Sequence, residues 1–291
     1  MRSVLRCLAV AICSAVTIAS AAIEQSSASV ERGVQKRYAA VAFDYFVLFN
    51  PDSVVSAVDR IAPGHGREFT NVWRTRQFEY SWLRSITGHY VDFYAITRDA
   101  LLYAANATHV ELTAAQRDQL LDAHLQLTPW PDAADALRRL RDADVRVITI
   151  ANFSPTMLRA NADRARLTPL FDALVSTDAN HTYKPDPRAY QLGVDRLRLD
   201  KGDIVFAAFG GWDAAGAKSF GYPTVWVNRF NQPLEELDVR PDRTVTDLDG
   251  LLEFVLKEER SRDVVTAHTP HAVDRHSSAA HAVGAPGACD A

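Results

Sequence analysis

The chain contains 291 residues, of which 47% are hydrophobic and 23% are charged, and this composition is typical of a folded protein with a substantial apolar core. It excludes a disordered or fibrous polymer. The 32 lysine and arginine residues are outnumbered by 36 aspartate and glutamate residues, so the net charge is -4. Because no basic surplus is available to neutralise a phosphate backbone, we expect no nucleic-acid partner.

The first 21 residues have the pattern of a secretory signal peptide. Arg2 and Arg6 form a short positive head, an apolar run occupies 7–18, and small residues at 19–22 form a cleavage region. The run is shorter than the about 20 apolar residues that a membrane span needs. We therefore predict a cleaved signal peptide over 1–21, export to a periplasm or beyond, and no stable membrane association afterwards. An uncleaved anchor or a misassigned start codon is the alternative.

Removal of that segment changes both the charge and the cysteine content. It takes away two arginines and no acid, so 30 basic residues remain against 36 acidic ones and the net charge becomes -6. It also takes away Cys7 and Cys13 and leaves only Cys289. A mature chain with one cysteine forms no internal disulfide, so its stability must come from its core.

The two flanks of the central region lack the pattern of a folded domain. Residues 22–37 are predicted to be a linker, and residues 258–291 are small and polar without apolar periodicity. Such a segment cannot bury enough apolar surface to offset the entropy of ordering, so we predict a disordered tail over 258–291. The four histidines in the tail are irregularly spaced, which argues against a dedicated metal site.

Short apolar runs alternate with helical stretches between these flanks. A helix is indicated over 132–143, where Leu137 and Leu140 share one face. Alternating strands and helices predict an α/β fold, a Rossmann-like, doubly wound parallel sheet. The runs rich in β-branched and aromatic residues that we predict to be buried strands are 39–43, 145–150, 173–176, 204–206 and 224–227.

The long separation between the first two predicted strands indicates an insertion. Only helical signals lie in it, and the positions that follow helical spacing are Phe69, Val72, Trp73, Arg76 and Tyr80 and, later, Leu120, Leu121 and Leu125. We predict a helical cap over 51–130, inserted into a core domain formed by 38–50 and 131–257. Because open α/β sheets bind ligands beyond the carboxyl ends of their strands, a cap inserted there would cover the site.

Polar residues follow the predicted strands at the edge where the carboxyl ends meet. Asp44 follows the first strand, Asn152 the second and Asp213 the fourth, and Lys184 comes shortly after the third. Desolvating a carboxylate is costly unless a cation lies near it, so we expect Lys184 to keep Asp44 ionised. An ionised, partly desolvated carboxylate is a usable nucleophile. A turn-capping aspartate is the alternative for Asp44, but it leaves the other three residues unexplained.

With these residues in place, the sequence resembles the haloacid dehalogenase superfamily and, within it, the type II (S)-2-haloacid dehalogenases. The similarity covers residues 38–255. It implies the core and cap described above, and it implies neither a metal nor a cofactor. The runs that carry it occur in family order at 43–49, 73–84, 92–93, 97–101, 184–190 and 212–229.

The resemblance implies a reaction in which Asp44 attacks C2 of a haloacid, displaces halide with inversion, and forms an ester that water hydrolyses to the 2-hydroxy acid. Arg74 would receive the halide or hold the substrate, since a planar, weakly hydrated guanidinium suits a diffuse anion. Lys184 and Asp213 would orient the nucleophile and activate water, with Tyr190 supporting Lys184. The implied catalytic residues are therefore Asp44, Lys184, Asp213 and Arg74.

The resemblance also implies how the substrate is held. Backbone N–H groups at Tyr45, Phe46 and Asn152 would bind its carboxylate. We expect the helical cap to be a candidate homodimer face as in relatives, although an apolar helix stripe is more often cap core. The implied substrate-binding residues are Tyr45, Phe46, Arg74, Ala151, Asn152, Phe78, Phe93 and Trp212, and the supporting residues are Val47 and Tyr190.

Several positions depart from the family pattern. The segment after Asp44 is one residue shorter, Val47 replaces a threonine, Ala151 and Ala208 replace serines, and Gly210 replaces an asparagine. Each lost hydrogen bond is worth on the order of 1 kcal/mol. A dehalogenase of short (S)-2-haloalkanoic acids, a relative with an altered substrate, and a non-catalytic protein that binds small carboxylates therefore all stay open.

A metal-dependent phosphatase of the same superfamily is the least favoured alternative. Such an enzyme needs a second aspartate two positions after the nucleophile, and Phe46 stands there. Its Mg²⁺ also needs further oxygen ligands, whereas Asp213 has only glycines and Trp212 immediately before it.

Overall fold

A computed structural model describes residues 35–36 and 38–257. The predicted signal peptide and the predicted tail lie outside these described residues, as does most of the predicted linker. Within the described part of the chain, no helix is both long and apolar enough to cross a membrane.

The described residues alternate between strands and helices for most of their length. The strands are β1 (Gln35–Lys36), β2 (Ala40–Phe43), β3 (Phe49–Asn50), β4 (Thr128–Pro129), β5 (Arg146–Thr149), β6 (Ile204–Ala208), β7 (Thr224–Val227), β8 (Arg243–Val245) and β9 (Leu256–Lys257). The helices are α1 (Tyr45–Leu48), α2 (Val55–Ile61), α3 (Gly66–Thr87), α4 (Phe93–Ala107), α5 (Ala114–Ala123), α6 (Ala133–Asp142), α7 (Pro155–Arg164), α8 (Pro187–Leu197), α9 (Gly211–Phe220) and α10 (Leu248–Val255).

A five-stranded sheet in the order β5-β2-β6-β7-β8 forms the centre of the core domain. All of its neighbouring strands are parallel, and Phe43 at the end of β2 pairs with Thr149 on one side and Ala207 on the other. The predicted parallel, doubly wound sheet is confirmed. Because β2 lies between β5 and β6, the residues that follow these three strands emerge side by side.

Both faces of the sheet are covered by helices, as its sequence pattern requires. Val41 and Phe43 of β2 belong to one apolar cluster with residues of α6, α7 and α10. Ala40 and Ala42 belong to a second cluster with residues of α8 and α9. Successive side chains of a strand point to opposite faces, so a strand that is apolar at every position must be buried on both sides.

The edges of the sheet differ from the prediction in two places. The segment 173–176 forms only isolated bridges, one to Ile148 of β5 and one to Ala151 just beyond it. The Thr149 hydroxyl takes part in place of the backbone: Val175 N donates to Thr149 Oγ1 at 2.8 Å, and Oγ1 donates to Val175 O at 3.1 Å. At the other edge, β8 was not predicted. Its residues are largely exposed and form no apolar run.

The helical insertion is confirmed between β3 and β4. These two strands are the segments that leave and re-enter the core domain, and they pair with each other, Phe49 with Pro129 and Asn50 with Thr128. Helices α2 to α5 lie between them and have an apolar core of their own. Its fully or nearly fully buried members include Val58, Phe69, Trp73, Leu101, Leu120 and Leu121.

One end of the predicted linker belongs to a sheet. Gln35 pairs with Lys257 and Lys36 with Leu256 in an antiparallel arrangement. The prediction of a linker as far as residue 37 is corrected to this extent, since a strand of two residues has no periodic signal in the sequence.

A close approach of α9 to α8 and to the loop before α8 gives a test of the packing that supports the site. A Cβ atom on Gly216 would lie 2.5 Å from Tyr190 Oη and 2.7 Å from Pro185 Cβ. We predict that Gly216→Ala lowers the free energy of unfolding by about 1–3 kcal/mol, since overpacking forces neighbouring groups to move. Urea denaturation measures the change.

Gly202→Ala is the matched control, because a Cβ atom there meets no heavy atom within 4 Å. An equal loss of stability at both glycines would contradict the prediction.

Candidate active site

Asp44 lies at the point where β2 ends and α1 begins. Its backbone N–H donates to Ala207 O at 2.9 Å, which fixes the chain against β6. Its side chain is 14% exposed, and Oδ2 accepts a hydrogen bond from Phe46 N at 3.1 Å. The Phe46 N–H, expected to bind a substrate carboxylate, is therefore engaged by Asp44 instead. It orients the nucleophile, because an N-cap residue accepts from the first turn of the helix that it caps.

Lys184 is buried between two carboxylates. Its Nζ donates to Asp44 Oδ1 at 2.7 Å and to Asp213 Oδ2 at 2.6 Å, and its backbone N–H donates to Asn152 Oδ1 at 2.9 Å. Burial by itself lowers the pKa of Lys184, but the charges of Asp213 and Asp44 outweigh it, so the net pKa lies above its usual value. The ammonium thus remains protonated beside the nucleophile.

Asp213 lies in the first turn of α9 and is buried. Burial raises its pKa to about 6; the nearby Lys184 acts against that rise, Asp44 adds to it, and the hydrogen bonds from Lys184 and Tyr190 lower it. Tyr190 Oη donates to Asp213 Oδ1 at 2.7 Å. Tyr190 was expected to support Lys184, and the structure corrects this: its direct partner is Asp213.

Asn152 offers a donor that the described residues leave unused. Its Oδ1 is held by the backbone N–H of Lys184, which fixes the orientation of the amide group. Its Nδ2 is buried and has no hydrogen-bond partner among the described residues. Leaving a buried donor unpaired costs about 1–3 kcal/mol, so an anionic group of a ligand in the adjoining cavity would restore a lost interaction.

A cavity of about 490 Å³ lies above Asp44, between the core domain and the cap. Aromatic rings form much of its wall, with Phe46 and Phe153 centred 5.4 Å apart and Phe78 and Trp212 5.3 Å apart. Lys184, Asp213, Val47 and Tyr190 lie outside its lining. The sequence-predicted residues that do line it are Asp44, Tyr45, Phe46, Arg74, Phe78, Phe93, Ala151, Asn152 and Trp212.

Val47 supports the site through its backbone. Its side chain is buried, and its carbonyl oxygen accepts from Arg229 Nη2 at 3.0 Å. Arg229 in turn pairs with Asp132 at 2.9 Å, just before α6. The position that lacks the family's threonine is thus anchored to the core through its carbonyl rather than through a hydroxyl.

Arg74 extends from the cap into the cavity wall, and there it pairs with Asp52. Nη1 donates to Asp52 Oδ1 at 2.7 Å, and Nη2 donates to Asn71 Oδ1 at 3.1 Å. Asp52 also pairs with Arg67 at 3.0 Å. Sequence reasoning missed Asp52, since a single acid in the connection to the cap has no periodic or motif signal.

Trp82 is a second residue that sequence reasoning did not single out. It lies on α3 within a run that resembles the family, which was the available signal. Its Nε1 donates to Lys184 O at 3.2 Å, and its ring contacts Trp212 edge to face at 5.4 Å. The cap thus touches both the loop that carries the lysine and the wall of the cavity.

The described residues also contain no group of three or more His, Cys, Asp or Glu side chains placed to hold a metal ion. The ammonium of Lys184 instead lies beside Asp44, and it donates hydrogen bonds to Asp44 and to a second carboxylate, that of Asp213.

The family model for haloacid dehalogenase-like hydrolases matches residues 20–221. The chain belongs to this family. Among curated proteins, an (S)-2-haloacid dehalogenase of Pseudomonas sp. (strain YL) is 41% identical to this hydrolase over 215 residues. The matched region covers 74% of this chain and 93% of that relative. The predicted family resemblance is confirmed.

Solved structures agree with the fold of this hydrolase. A crystal structure of an L-2-haloacid dehalogenase has a TM-score of 0.74 at 34% identity and covers 75% of this chain and 98% of its own. The L-2-haloacid dehalogenase from Xanthobacter autotrophicus with chloropropionic acid covalently bound has a TM-score of 0.71 at 34% identity, with the same coverage of 75% and 98%.

The absence of a side chain at Gly210 gives a test of the cavity wall. A Cβ atom there would lie 2.7 Å from Nε1 of Trp212. We predict that Gly210→Ala displaces the indole of Trp212 from its place over residue 210 and changes the shape of the cavity, which a crystal structure of the variant would reveal. The clash is too close for both groups to stay in position.

Gly211→Ala is the control, because its Cβ would meet only the flexible end of Glu235. An unmoved indole in Gly210→Ala would contradict the prediction, and so would an equal displacement in the control.

Proposed function

We propose that this hydrolase is a dehalogenase of short (S)-2-haloalkanoic acids that works through an aspartyl ester. The observation that carries the proposal is the placement of Asp44 at the floor of an aromatic cavity, held by a backbone N–H and a buried ammonium. The relatives named (S)-2-haloacid dehalogenases support the substrate class. The Xanthobacter enzyme with chloropropionic acid covalently bound supports a covalent intermediate.

In the first step, a carboxylate oxygen of Asp44 attacks C2 of the haloacid. The new oxygen–carbon bond forms as the carbon–halogen bond breaks, and the halogen leaves with the bonding electrons as halide. Attack from the side opposite the halogen inverts C2. Lys184 and the Phe46 N–H hold the nucleophile in one orientation, which spares the entropy of aligning it during the reaction.

In the second step, water attacks the carbonyl carbon of the ester. The bond from that carbon to the oxygen carrying C2 breaks, and the 2-hydroxy acid leaves while Asp44 regains a carboxylate. We assign Lys184, which remains protonated, to orienting Asp44, and Asp213 to accepting one proton of the water, since Asp213 is ionised above a pKa of about 6. The second proton of the water passes to the departing alkoxide oxygen, and Asp213 then releases its proton to solvent.

The cavity wall accounts for the choice of substrate. The unused Nδ2 of Asn152 would donate to the substrate carboxylate, and Arg74 would receive the halide or hold the acid. Phe78, Phe93 and Trp212 would surround the alkyl group and exclude water. Charge interactions strengthen where water is excluded, so the displacement gains from this wall.

We propose as well that the protein is exported and that it forms a homodimer. Export is supported by the positive head and apolar run over 1–21. A dimer is supported by exposed apolar side chains on the two longest helices of the cap. These are Leu83, Ile86, Leu102 and Tyr103.

The central test is halide release from (S)-2-chloropropanoate. We predict that the wild-type protein releases chloride and forms 2-hydroxypropanoate, and that Asp44→Asn lowers the rate by about a thousandfold or more, since an amide is a poor nucleophile. Asp195→Asn, at an exposed position on α8, controls for the loss of a charge.

Equal release from wild type and Asp44→Asn would contradict the proposal. Tight haloacid binding without turnover in the wild type would favour the alternative of a non-catalytic carboxylate-binding protein.

The pH dependence of the rate tests the role of Asp213. Its pKa of about 6 means that it carries a proton at lower pH and is ionised at higher pH, so we predict that kcat rises with pH through about 6 and then levels off. The hydrogen bond from Tyr190 lowers this pKa. Tyr190→Phe should therefore move the acidic limb of the profile to higher pH.

The profile is measured from about pH 4 to about pH 9, on either side of the expected midpoint. Tyr103→Phe, at a partly exposed tyrosine of the cap, is the control. An acidic limb that stays in place in Tyr190→Phe would show that Asp213 does not set it.

A further inference from the structure

One acid in the cavity wall opposes the cations that face the ligand. Asp52 lies in the connection from β3 to the cap and is 17% exposed. It pairs with Arg74 at 2.7 Å and with Arg67 at 3.0 Å, and all three residues line the cavity. No step of the proposed reaction uses Asp52.

The pairing determines what Arg74 offers to a ligand. Asp52 engages Nη1 and Asn71 engages Nη2, so two of the five guanidinium N–H donors are committed within the protein. Arg74 is 22% exposed, and a pair that is sheltered to this extent is screened less than one on the open surface. Although burial by itself raises the pKa of Asp52, the hydrogen bond and charge of Arg74, followed by those of Arg67, lower it below its usual value, so the acid is charged at neutral pH.

The charges at and beneath the cavity therefore form two groups of opposite net charge, -1 at the floor and +1 at the cap side. Lys184 lies with Asp44 and Asp213 at the floor, and the two arginines lie with Asp52 at the cap side. Without Asp52, the cap side would present two cations with no acid between them. Such a pair would hold a small anion strongly, since guanidinium groups suit diffuse anions.

The first step of the proposed reaction transfers a negative charge from Asp44 to the departing halide. The carboxylate becomes a neutral ester, and the halide carries away the electron pair of the carbon–halogen bond. The halide has to leave before the next substrate enters. A cavity that bound halide too firmly would be inhibited by its own product.

We propose that Asp52 is a positioning residue that sets the affinity of the cavity for anions: it fixes the guanidinium of Arg74 and offsets its charge so that halide is released. This inference rests on the proposed function, because a halide product is what makes release necessary. Asp52 acts through Arg74 and does not itself touch the reacting atoms.

The test is titration of the full-length protein with sodium bromide at constant ionic strength, followed by isothermal calorimetry. We predict that Asp52→Asn, which keeps the shape and removes the charge, lowers the bromide dissociation constant by about tenfold. In the halide-release assay, the same variant should show stronger inhibition by bromide, a lower KM and a lower kcat. Mere loss of structure would not lower KM.

Asp99→Asn is the matched control. Asp99 on α4 is also paired with two arginines, Arg84 at 3.1 Å and Arg98 at 3.2 Å, and it lies outside the set of described residues that line the cavity. Its substitution should leave bromide binding unchanged. Unchanged or weaker binding in Asp52→Asn, equal tightening in both variants, or no bromide binding by either wild type or Asp52→Asn would overturn the proposal.

Arg67→Gln tests the same idea without altering Asp52. Arg67 is 68% exposed, so its substitution should not prevent folding, and solvent screens its charge more than that of Arg74, which is 22% exposed. Freed from Arg67, Asp52 would act on Arg74 alone, and bromide binding should weaken by about two- to threefold. Unchanged or tighter binding would count against the proposal. Because calorimetry needs no turnover, a protein that releases no halide would disprove the proposed function without deciding the role of Asp52.

Discussion

The site depends on one buried ammonium that lies between two carboxylates. Lys184 Nζ is within 2.7 Å of both Asp44 and Asp213, and the lysine is fully buried. Two carboxylates brought this close without a cation would repel each other and lose their hydration, so neither would remain ionised at low cost. The lysine makes both acids usable, and removing any member of a buried network of this kind would leave an uncompensated charge.

The rest of the core domain holds that lysine in place. Its backbone N–H donates to Asn152 and its carbonyl oxygen accepts from Trp82, so the segment that follows β5 and the cap each fix one side of the same residue. Tyr190 holds the far oxygen of Asp213. The parallel order β5-β2-β6 makes this convergence possible, because the segments that follow three adjacent strands emerge at one edge.

The cap completes the site by adding an aromatic wall and a second charged group. Where the family pattern has hydroxyl and amide side chains, this hydrolase has Ala151, Ala208 and Gly210, and the room at Gly210 is taken by the indole of Trp212. On the cap side, Asp52 contacts both Arg67 and Arg74. The cavity thus combines a charged floor with a wall that is largely aromatic.

Much of this arrangement was determined by the sequence alone. Buried strands appear in the sequence as short apolar runs, and helices appear as apolar residues at helical spacing, so the fold and the inserted cap could be predicted. A polar residue directly after a strand must lie at the edge of a parallel sheet, so the grouping of Asp44, Lys184 and Asp213 could be predicted as well. The two edges of the sheet could not be predicted. Strand β8 lacks an apolar run, and in segment 173–176 the Val175 N–H donates to the hydroxyl of Thr149 instead of to a backbone carbonyl oxygen.

Side-chain partners were decided only by the tertiary structure. Tyr190 bonds to Asp213 rather than to Lys184, the Phe46 N–H is engaged by Asp44, and Arg74 is paired with Asp52. Each of these choices depends on rotamers and on how the cap packs against the core, and differences of about an ångström decide which partner lies within the 2.7–3.2 Å of a hydrogen bond. A sequence determines which groups reach the same edge of the sheet, whereas packing determines which of them touch.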